Sequence, residues 1–194
     1  NEDILYGVKQ VSAGAIHTVL AMEDGTALAV GYNGYGALAT GDTNTKYLPV
    51  QMLNENNEAI KNVKNVSANG HETIVSVKEQ TVTNEAGEEN REAGIYVAGY
   101  NNYGQLYTKD TTTRYNLTKV QEDKNIIAMA STTNVSYQTS AIADNMGLVY
   151  TVGYNGNGEM GDDTVTTTIN PTSISEARFT VDTQRVILNL DDSN

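Results

Sequence analysis

A six-residue glycine motif occurs three times in this chain, and its recurrence limits the possible folds more than any other feature. Gly31-Tyr32-Asn33-Gly34-Tyr35-Gly36 returns as Gly99-Tyr100-Asn101-Asn102-Tyr103-Gly104 and again as Gly153-Tyr154-Asn155-Gly156-Asn157-Gly158. The copies start 68 and then 54 residues apart, so the middle unit carries about fourteen additional residues. Self-similarity of this period marks supersecondary units that cannot bury their own faces and stack on one another instead.

The flanks repeat as well. Val8-Lys9-Gln10-Val11-Ser12-Ala13-Gly14 matches Val63-Lys64-Asn65-Val66-Ser67-Ala68-Asn69. Leu28-Ala29-Val30, Tyr96-Val97-Ala98 and Tyr150-Thr151-Val152 immediately precede the three motifs. Pro49, Leu117 and Pro171 each stand thirteen residues after the closing glycine. Proline at that offset suits the start of an edge strand, where a missing N–H costs nothing. In the first unit, β-rich runs at 8–12, 18–22, 26–30 and 50–53 are separated by turn chemistry such as Glu23-Asp24-Gly25 and Asn33-Gly34. No stretch sustains a helical period, and 173–178 has room for one short turn.

Four short strands per unit of about 50 residues is the arithmetic of a propeller blade. The sequence therefore predicts an all-β fold of three four-stranded antiparallel blades within residues 1–177, at about 4–57, 58–123 and 124–176. The additional residues of the middle unit lie between Val77 and Gly94, where the first unit has only Met22-Glu23-Asp24-Gly25. They read as a lengthened polar hairpin tip, inexpensive because loop-closure entropy grows slowly with length. Its glutamates read as a solvated tip and not as a metal site.

The units resemble regulator of chromosome condensation repeats, a β-propeller family that usually closes with seven blades. The resemblance runs through Val8, Val11, Ser12, Ala13, Gly14, His17, Thr18, Asp24, Gly25, Gly31, Asn33, Gly36, Leu38 and Pro49 and extends over about 4–176. The repeat signature it implies is Gly31, Asn33, Gly36, Gly99, Asn101, Gly104, Gly153, Asn155 and Gly158. The family's tryptophan before the glycine loop is replaced by Val30, Ala98 and Val152. Its histidine falls at His17, is replaced by Glu72 in the second unit with His71 one place early, and by Gln138 in the third. Residues 178–194 break the pattern and look like the opening strand of a bacterial immunoglobulin-like domain of the second group.

Three blades pose a physical problem, since only a closed ring covers both faces of every blade. Two terminal flanks of several hundred Å² each would be left bare, and covering one is worth on the order of 10 kcal/mol gross. Further blades upstream, pairing of two copies, or strand addition by the C-terminal segment would each supply the cover. The start Asn1-Glu2-Asp3, without Met, reads as an excised piece of a longer protein that self-associates when isolated.

Composition narrows the function. With 24 acidic against 12 basic residues and a net charge of −12, and with no basic stripe, the chain is expected to bind neither nucleic acid nor anionic membranes. No apolar run is long enough for a membrane span. The absence of cysteine removes disulfides, thiolate metal sites and cysteine nucleophiles. It also agrees with an exported Gram-positive protein. Nothing resembles a nucleophile elbow or a histidine metal motif, so we expect no enzyme, no cofactor and no resident metal. Asp42, Asp110, Asp162 and Asp163 lie in Thr-rich turns that fit Asx-type hydrogen bonding, with calcium as the alternative. Glycosylation triplets at Asn65, Asn116 and Asn134 matter only in a eukaryotic secretory pathway.

Eight of the twelve tyrosines lie in or just after the glycine loops: Tyr32, Tyr35, Tyr47, Tyr100, Tyr103, Tyr107, Tyr115 and Tyr154. Repeated loops emerge on one rim, and tyrosine beside Asn and Gly is the composition of adaptable recognition surfaces. Tyr32, Tyr100 and Tyr154 fit packing between blades. Tyr35, Tyr47, Tyr103 and Tyr115 are equally suited to packing and to a partner-binding rim. The expected function is a non-catalytic adhesion, scaffold or protein-interaction module of a bacterial surface or secreted protein, binding a protein or a glycan. The alternative is a propeller-type inhibitor of a secreted enzyme, such as a β-lactamase. Nucleotide exchange and catalysis rank below both.

Overall fold

The computed structural model describes residues 4–174 apart from 79–80, 84–88, 92, 122–125 and 135. Three four-stranded antiparallel sheets follow one another along the chain, as the repeats predict. The first blade is a meander of β1 (Val8–Ala13), β2 (His17–Met22), β3 (Ala27–Gly31) and β4 (Lys46–Gln51). The second begins with β5 (Val63–Ala68) and β6 (Glu72–Val77). A separate hairpin of β7 (Thr81–Thr83) and β8 (Glu89–Arg91) follows, before β9 (Gly94–Gly99) and β10 (Arg114–Gln121) complete the blade. The third is β11 (Ile126–Ser131), β12 (Thr139–Asp144), β13 (Val149–Gly153) and β14 (Thr168–Ser173). The additional residues of the middle unit thus form a hairpin of their own. No helix occurs among the described residues, and none there is long and apolar enough to cross a membrane.

The blades stack through two apolar seams. Val19, Ala21, Ala29, Leu38 and Met52 of the first blade meet Val63, Val66, Val75, Ala98 and Leu117 of the second. Ile74, Ile95, Val97, Leu106 and Tyr107 of the second meet Ile126, Ile142 and Val152 of the third. Strand β6 shows why the sequence reads as it does. Val75 and Val77 face one seam and Ile74 the other, so all six residues of Glu72–Val77 are buried. A strand enclosed on both faces loses the polar alternation of a half-exposed one. Each fully buried Leu or Ile contributes roughly 2 kcal/mol.

Side chains of β1 also bind the backbone of β5 directly. The Gln10 amide donates to the Val66 carbonyl and accepts the Val66 N–H, both at 3.1 Å, while the Ser12 hydroxyl accepts the Ala68 N–H. The polar residues of β1 therefore cross-link two sheets through groups that a single sheet leaves unpaired.

The fourth strands begin earlier than expected. Pro49, Leu117 and Pro171 are each the fourth residue of β4, β10 and β14, not the first. These strands are sheet edges, and at the equivalent position of β10 the Leu117 N–H bonds the Leu53 carbonyl outside its own sheet at 2.8 Å, so proline costs no bond within the sheet. Pairing with the inner neighbour continues past the ring, with Val50 opposite Ala29 and Gln51 opposite Leu28. Ser173 closes β14 in place of starting a helical turn, and the segment at 178–194 lies outside the described residues.

The ring is incomplete. Val11 and Val66 hold the same register position, opposite Leu20 and Val75 in their own sheets. Val66 is buried by the first blade at 3% exposure, whereas Val11 has no described neighbour sheet and is 58% exposed. Among the described residues, the leading flank of the first blade is therefore open.

Candidate functional site

The glycine loops are built on three buried asparagines. The side-chain oxygens of Asn33, Asn101 and Asn155 accept the N–H groups of Leu38, Leu106 and Met160, each at 2.9 Å. Their amide nitrogens donate across the loop to Thr40 and the Asp42 carbonyl, to Thr108 and the Asp110 carbonyl, and to Asp162 and the Thr164 carbonyl. Each asparagine is fully buried, so it substitutes for a solvent shell the loop backbone lacks. The last glycine of each motif takes φ between 76° and 81°, in the left-handed region.

The next blade's outer strand seats on that glycine. Tyr115 of β10 lies against Gly36, and Ile169 of β14 lies against Gly104. Tyr47 of β4 holds the same strand position, since Lys46, Arg114 and Thr168 are opposite Gly31, Gly99 and Gly153. Tyr47 is 89% exposed and Tyr115 44%. These two candidate rim residues are thus seam residues by position, one seated and one at the open flank.

Tyr35 and Tyr103 stand elsewhere, in a continuous row of rings. Tyr32 meets Tyr35 at a centroid distance of 6.2 Å, Tyr35 meets Tyr100 at 5.1 Å, and Tyr100 meets Tyr103 at 6.4 Å. Tyr103 then meets Tyr154 at 5.4 Å, and Tyr154 meets Tyr137 at 4.6 Å. Most contacts are edge-to-face, the arrangement favoured by ring quadrupoles. The row crosses both seams at the end of the sheets where the glycine loops emerge. Tyr32, Tyr35 and Tyr137 are exposed, and Tyr100, Tyr103 and Tyr154 are half-buried. Burial and the nearby Tyr103 raise the Tyr100 phenol, and burial with the Glu159 carboxylate raises that of Tyr154. Tyr107 is absent from the row: it is buried in the second seam, where its hydroxyl donates to the Tyr150 carbonyl at 3.0 Å.

Two members come from outside the glycine loops. His71 packs 4.5 Å from Tyr35, and Tyr137 precedes β12. Both lie in the connection between a blade's first two strands, which the Tyr100 and Tyr154 N–H groups tie to the His71 and Gln138 carbonyls. The signal for them was positional: a residue just before a second strand emerges at the same end as the glycine loop.

His71 is not a shifted counterpart of His17. His17 and Glu72 are opposite Gly31 and Gly99, and the equivalent residue opposite Gly153 is Thr139, not Gln138. His17 is buried, and its Nε2 bonds the Thr73 hydroxyl at 2.9 Å, which donates onward to the Ala37 carbonyl at 2.8 Å. Burial, with the nearby His71, lowers the His17 imidazole to about 4. Glu72 accepts the Ser131 hydroxyl across the second seam and the His71 N–H at 3.2 Å. Burial pushes its carboxyl up to about 7 in spite of those bonds. Gln138 is buried and accepts from the Gln105 amide.

Charge on this end is uneven. Asp42 pairs with Lys46 at 2.7 Å and Asp110 with Arg114 at 2.6 Å. Asp42 and Asp110 also accept turn N–H groups from Asn44 and Thr112. In the third blade Thr164 and Thr168 take the places of the acid and the base. Asp162 there accepts from Asn155 and Thr164, and Glu159 from Asn157. No group of three or more metal-ligating side chains occurs among the described residues.

Comparison with known proteins agrees with this geometry. Residues 8–37 match the sequence model of the regulator of chromosome condensation (RCC1) repeat. The chain is 24% identical over 175 residues to rat "Probable E3 ubiquitin-protein ligase HERC4", across 90% of this chain and 15% of that protein. It is 26% identical over 152 residues to the human protein of that name, across 78% and 13%. Prp20p from Saccharomyces cerevisiae superposes with a TM-score of 0.63 at 17% identity, over 89% of this chain and 39% of its own. A chain from the complex of Kap60 with yeast RCC1 (Prp20) gives 0.64 at 18%, over 89% and 38%. Human WBSCR16 gives 0.58 at 17%, over 86% and 39%. The chain thus spans 15% or less of the curated relatives and about two fifths of the structures.

Proposed function

We propose that this chain is a non-catalytic protein-interaction module whose contact surface is the aromatic row. One observation carries the reading: six tyrosines from three blades, joined by His71, form an unbroken ring-to-ring path on one end of the sheets. Tyrosine supplies large amphipathic area at low entropic cost, and rings already packed edge to face lose little freedom on binding. The superposing yeast protein Prp20p is described with binding to Gsp1p and histones, and a second structure holds yeast RCC1 bound to Kap60. Protein binding by this fold favours the same role here.

The proposal extends to place and assembly. The acidic, cysteine-free composition suits a secreted or surface-displayed chain, and a glycan is the second kind of ligand such a row would accept. Further blades or a second copy would cover the leading flank at Val11 and Tyr47. The test is capture with the wild-type chain and with Tyr35→Ser/Tyr103→Ser, after circular dichroism has shown both folded. A partner held by the wild type and lost from the variant is expected. Identical capture by the two refutes the surface, and turnover of a substrate by the purified chain refutes the non-catalytic role.

A further inference from the structure

We infer that the third-blade end of the aromatic row receives a basic, arginine-bearing peptide segment. The inference rests on the row being a contact surface, and the distribution of charge along it adds the chemistry of the occupant.

At the first two blades the acids of the glycine loops are matched internally, Asp42 by Lys46 and Asp110 by Arg114. At the third blade the base is gone, because Thr168 stands where Lys46 and Arg114 stand. Glu159 and Asp162 remain, and among the described residues neither pairs with a lysine or arginine. Glu159 is exposed, and its carboxylate is held by Asn157 in the same loop, where the Tyr154 ring folds over Gly156. The anionic end of the row therefore coincides with Tyr103, Tyr154 and Tyr137. Lys109, exposed on the second loop, is the described cation of these loops outside the two ion pairs.

A cation over a tyrosine face and beside a carboxylate gains from both, and more as water is displaced. Guanidinium meets the geometry better than ammonium, since its plane stacks on a ring while its fork reaches a carboxylate. The step from Tyr100 to Tyr103, 6.4 Å, and that from Tyr103 to Tyr137, 6.5 Å, each correspond to about two residues of an extended chain rising roughly 3.3 Å per residue. Side chains at alternate positions of an extended segment would thus meet Tyr100, Tyr103 and Tyr137. An acidic or phosphorylated peptide is disfavoured, because Lys46 and Arg114 are already held.

The probe is a labelled glycine–serine peptide of about twelve residues bearing arginine at alternate positions, read by fluorescence anisotropy against the whole chain. Its control carries citrulline, which keeps the planar shape and three of the five N–H donors but removes the charge. A proline-rich peptide and an oligosaccharide array form the comparison arms. We expect the arginine peptide to bind at least about tenfold tighter than the citrulline one, and weaker at high salt. Tyr103→Leu, Tyr35→Leu and Glu159→Gln should be checked for folding by thermal melts. Tyr103→Leu and Glu159→Gln should each weaken binding about tenfold, and Tyr35→Leu less. Glu58→Gln, which removes one charge beyond the other end of β4, should leave affinity within about twofold.

Equal affinity for arginine and citrulline overturns the inference, as does equal weakening by Glu58→Gln and Glu159→Gln. Tyrosine-dependent binding of the proline-rich peptide or a sugar, without the arginine peptide, overturns it while leaving the row an interface. If no probe responds to either tyrosine substitution, the inference and the reading beneath it fall together.

Discussion

Replacing Gly104 and Gly158 by alanine separates the cost of a backbone conformation from the cost of opening a seam. Both glycines have left-handed φ, 76° and 81°, so alanine suffers the same conformational penalty of about 1 kcal/mol at each. It gains the same small entropic benefit in the unfolded chain. These contributions cancel in the comparison. A Cβ on Gly104 would lie 2.5 Å from the Ile169 Cγ2 and 2.8 Å from its Cα and Cβ. Only the outer strand of the third blade can relieve that overlap, by moving back from the second blade. Among the described residues, a Cβ on Gly158 would meet nothing nearer than the Thr164 carbonyl oxygen at 3.8 Å. Overpacking of this kind costs about 1–3 kcal/mol, so Gly104→Ala should be less stable than Gly158→Ala by that amount. Gly36→Ala should side with Gly104→Ala, because Tyr115 Cδ1 lies 2.6 Å from its Cβ position. Urea unfolding followed by far-UV circular dichroism gives the difference as a shift in midpoint at constant slope. Equal midpoints for Gly104→Ala and Gly158→Ala would refute the seam.

Two further outcomes follow from buried polar groups. Glu72 is held protonated up to about pH 7 against 4.5 for a free side chain, so its folded form binds the proton more tightly. Stability should therefore fall as pH rises from about 4.5 to 7, by about 3 kcal/mol in full. His17, lowered to about 4, acts in the opposite sense, with stability lost as pH falls from 6.5 towards 4. Glu72→Gln should stabilise the chain at pH 8 and leave a profile set by His17 and His71, both lowered by burial; an unchanged pH profile in urea melts would contradict this. Asn101→Ala strands the Leu106 N–H and two acceptors across the loop. It should cost about 2–3 kcal/mol and speed hydrogen exchange at Leu106.

The fold was legible because each blade repeats the same local solution. An asparagine that must be buried to tie its own loop recurs at fixed distance from its glycines, and three copies exclude coincidence. The strand pairs adjoining those loops are local, so period-2 patterning found them as well. Contacts between blades were much less legible. Tyr115 and Tyr47 read as equivalent loop tyrosines, yet one covers a glycine 79 positions earlier and the other nothing described. Gln138 was aligned to the position that Thr139 holds, whereas Glu72 and His71 fell where backbone pairing puts them. The connection from Thr132 to Gln138 is longer than its counterpart in the first blade and hides the register that backbone pairing reveals. Tyr137 escaped because it belongs to that connection and to no motif. The uneven charge of the row was visible only after Thr168 had been placed opposite Gly153.

The contact of Tyr115 with Gly36, repeated by Ile169 on Gly104, joins two unlike surfaces. Such a heterologous joint has polarity: a donor edge on one unit and an acceptor loop on the next. Two copies meeting about a twofold axis would set Tyr47 against Tyr47 and leave both acceptor loops vacant. Whatever adds to this array by the same joint must therefore arrive head to tail, and growth halts only where the accumulated rotation returns the last loop to the first edge.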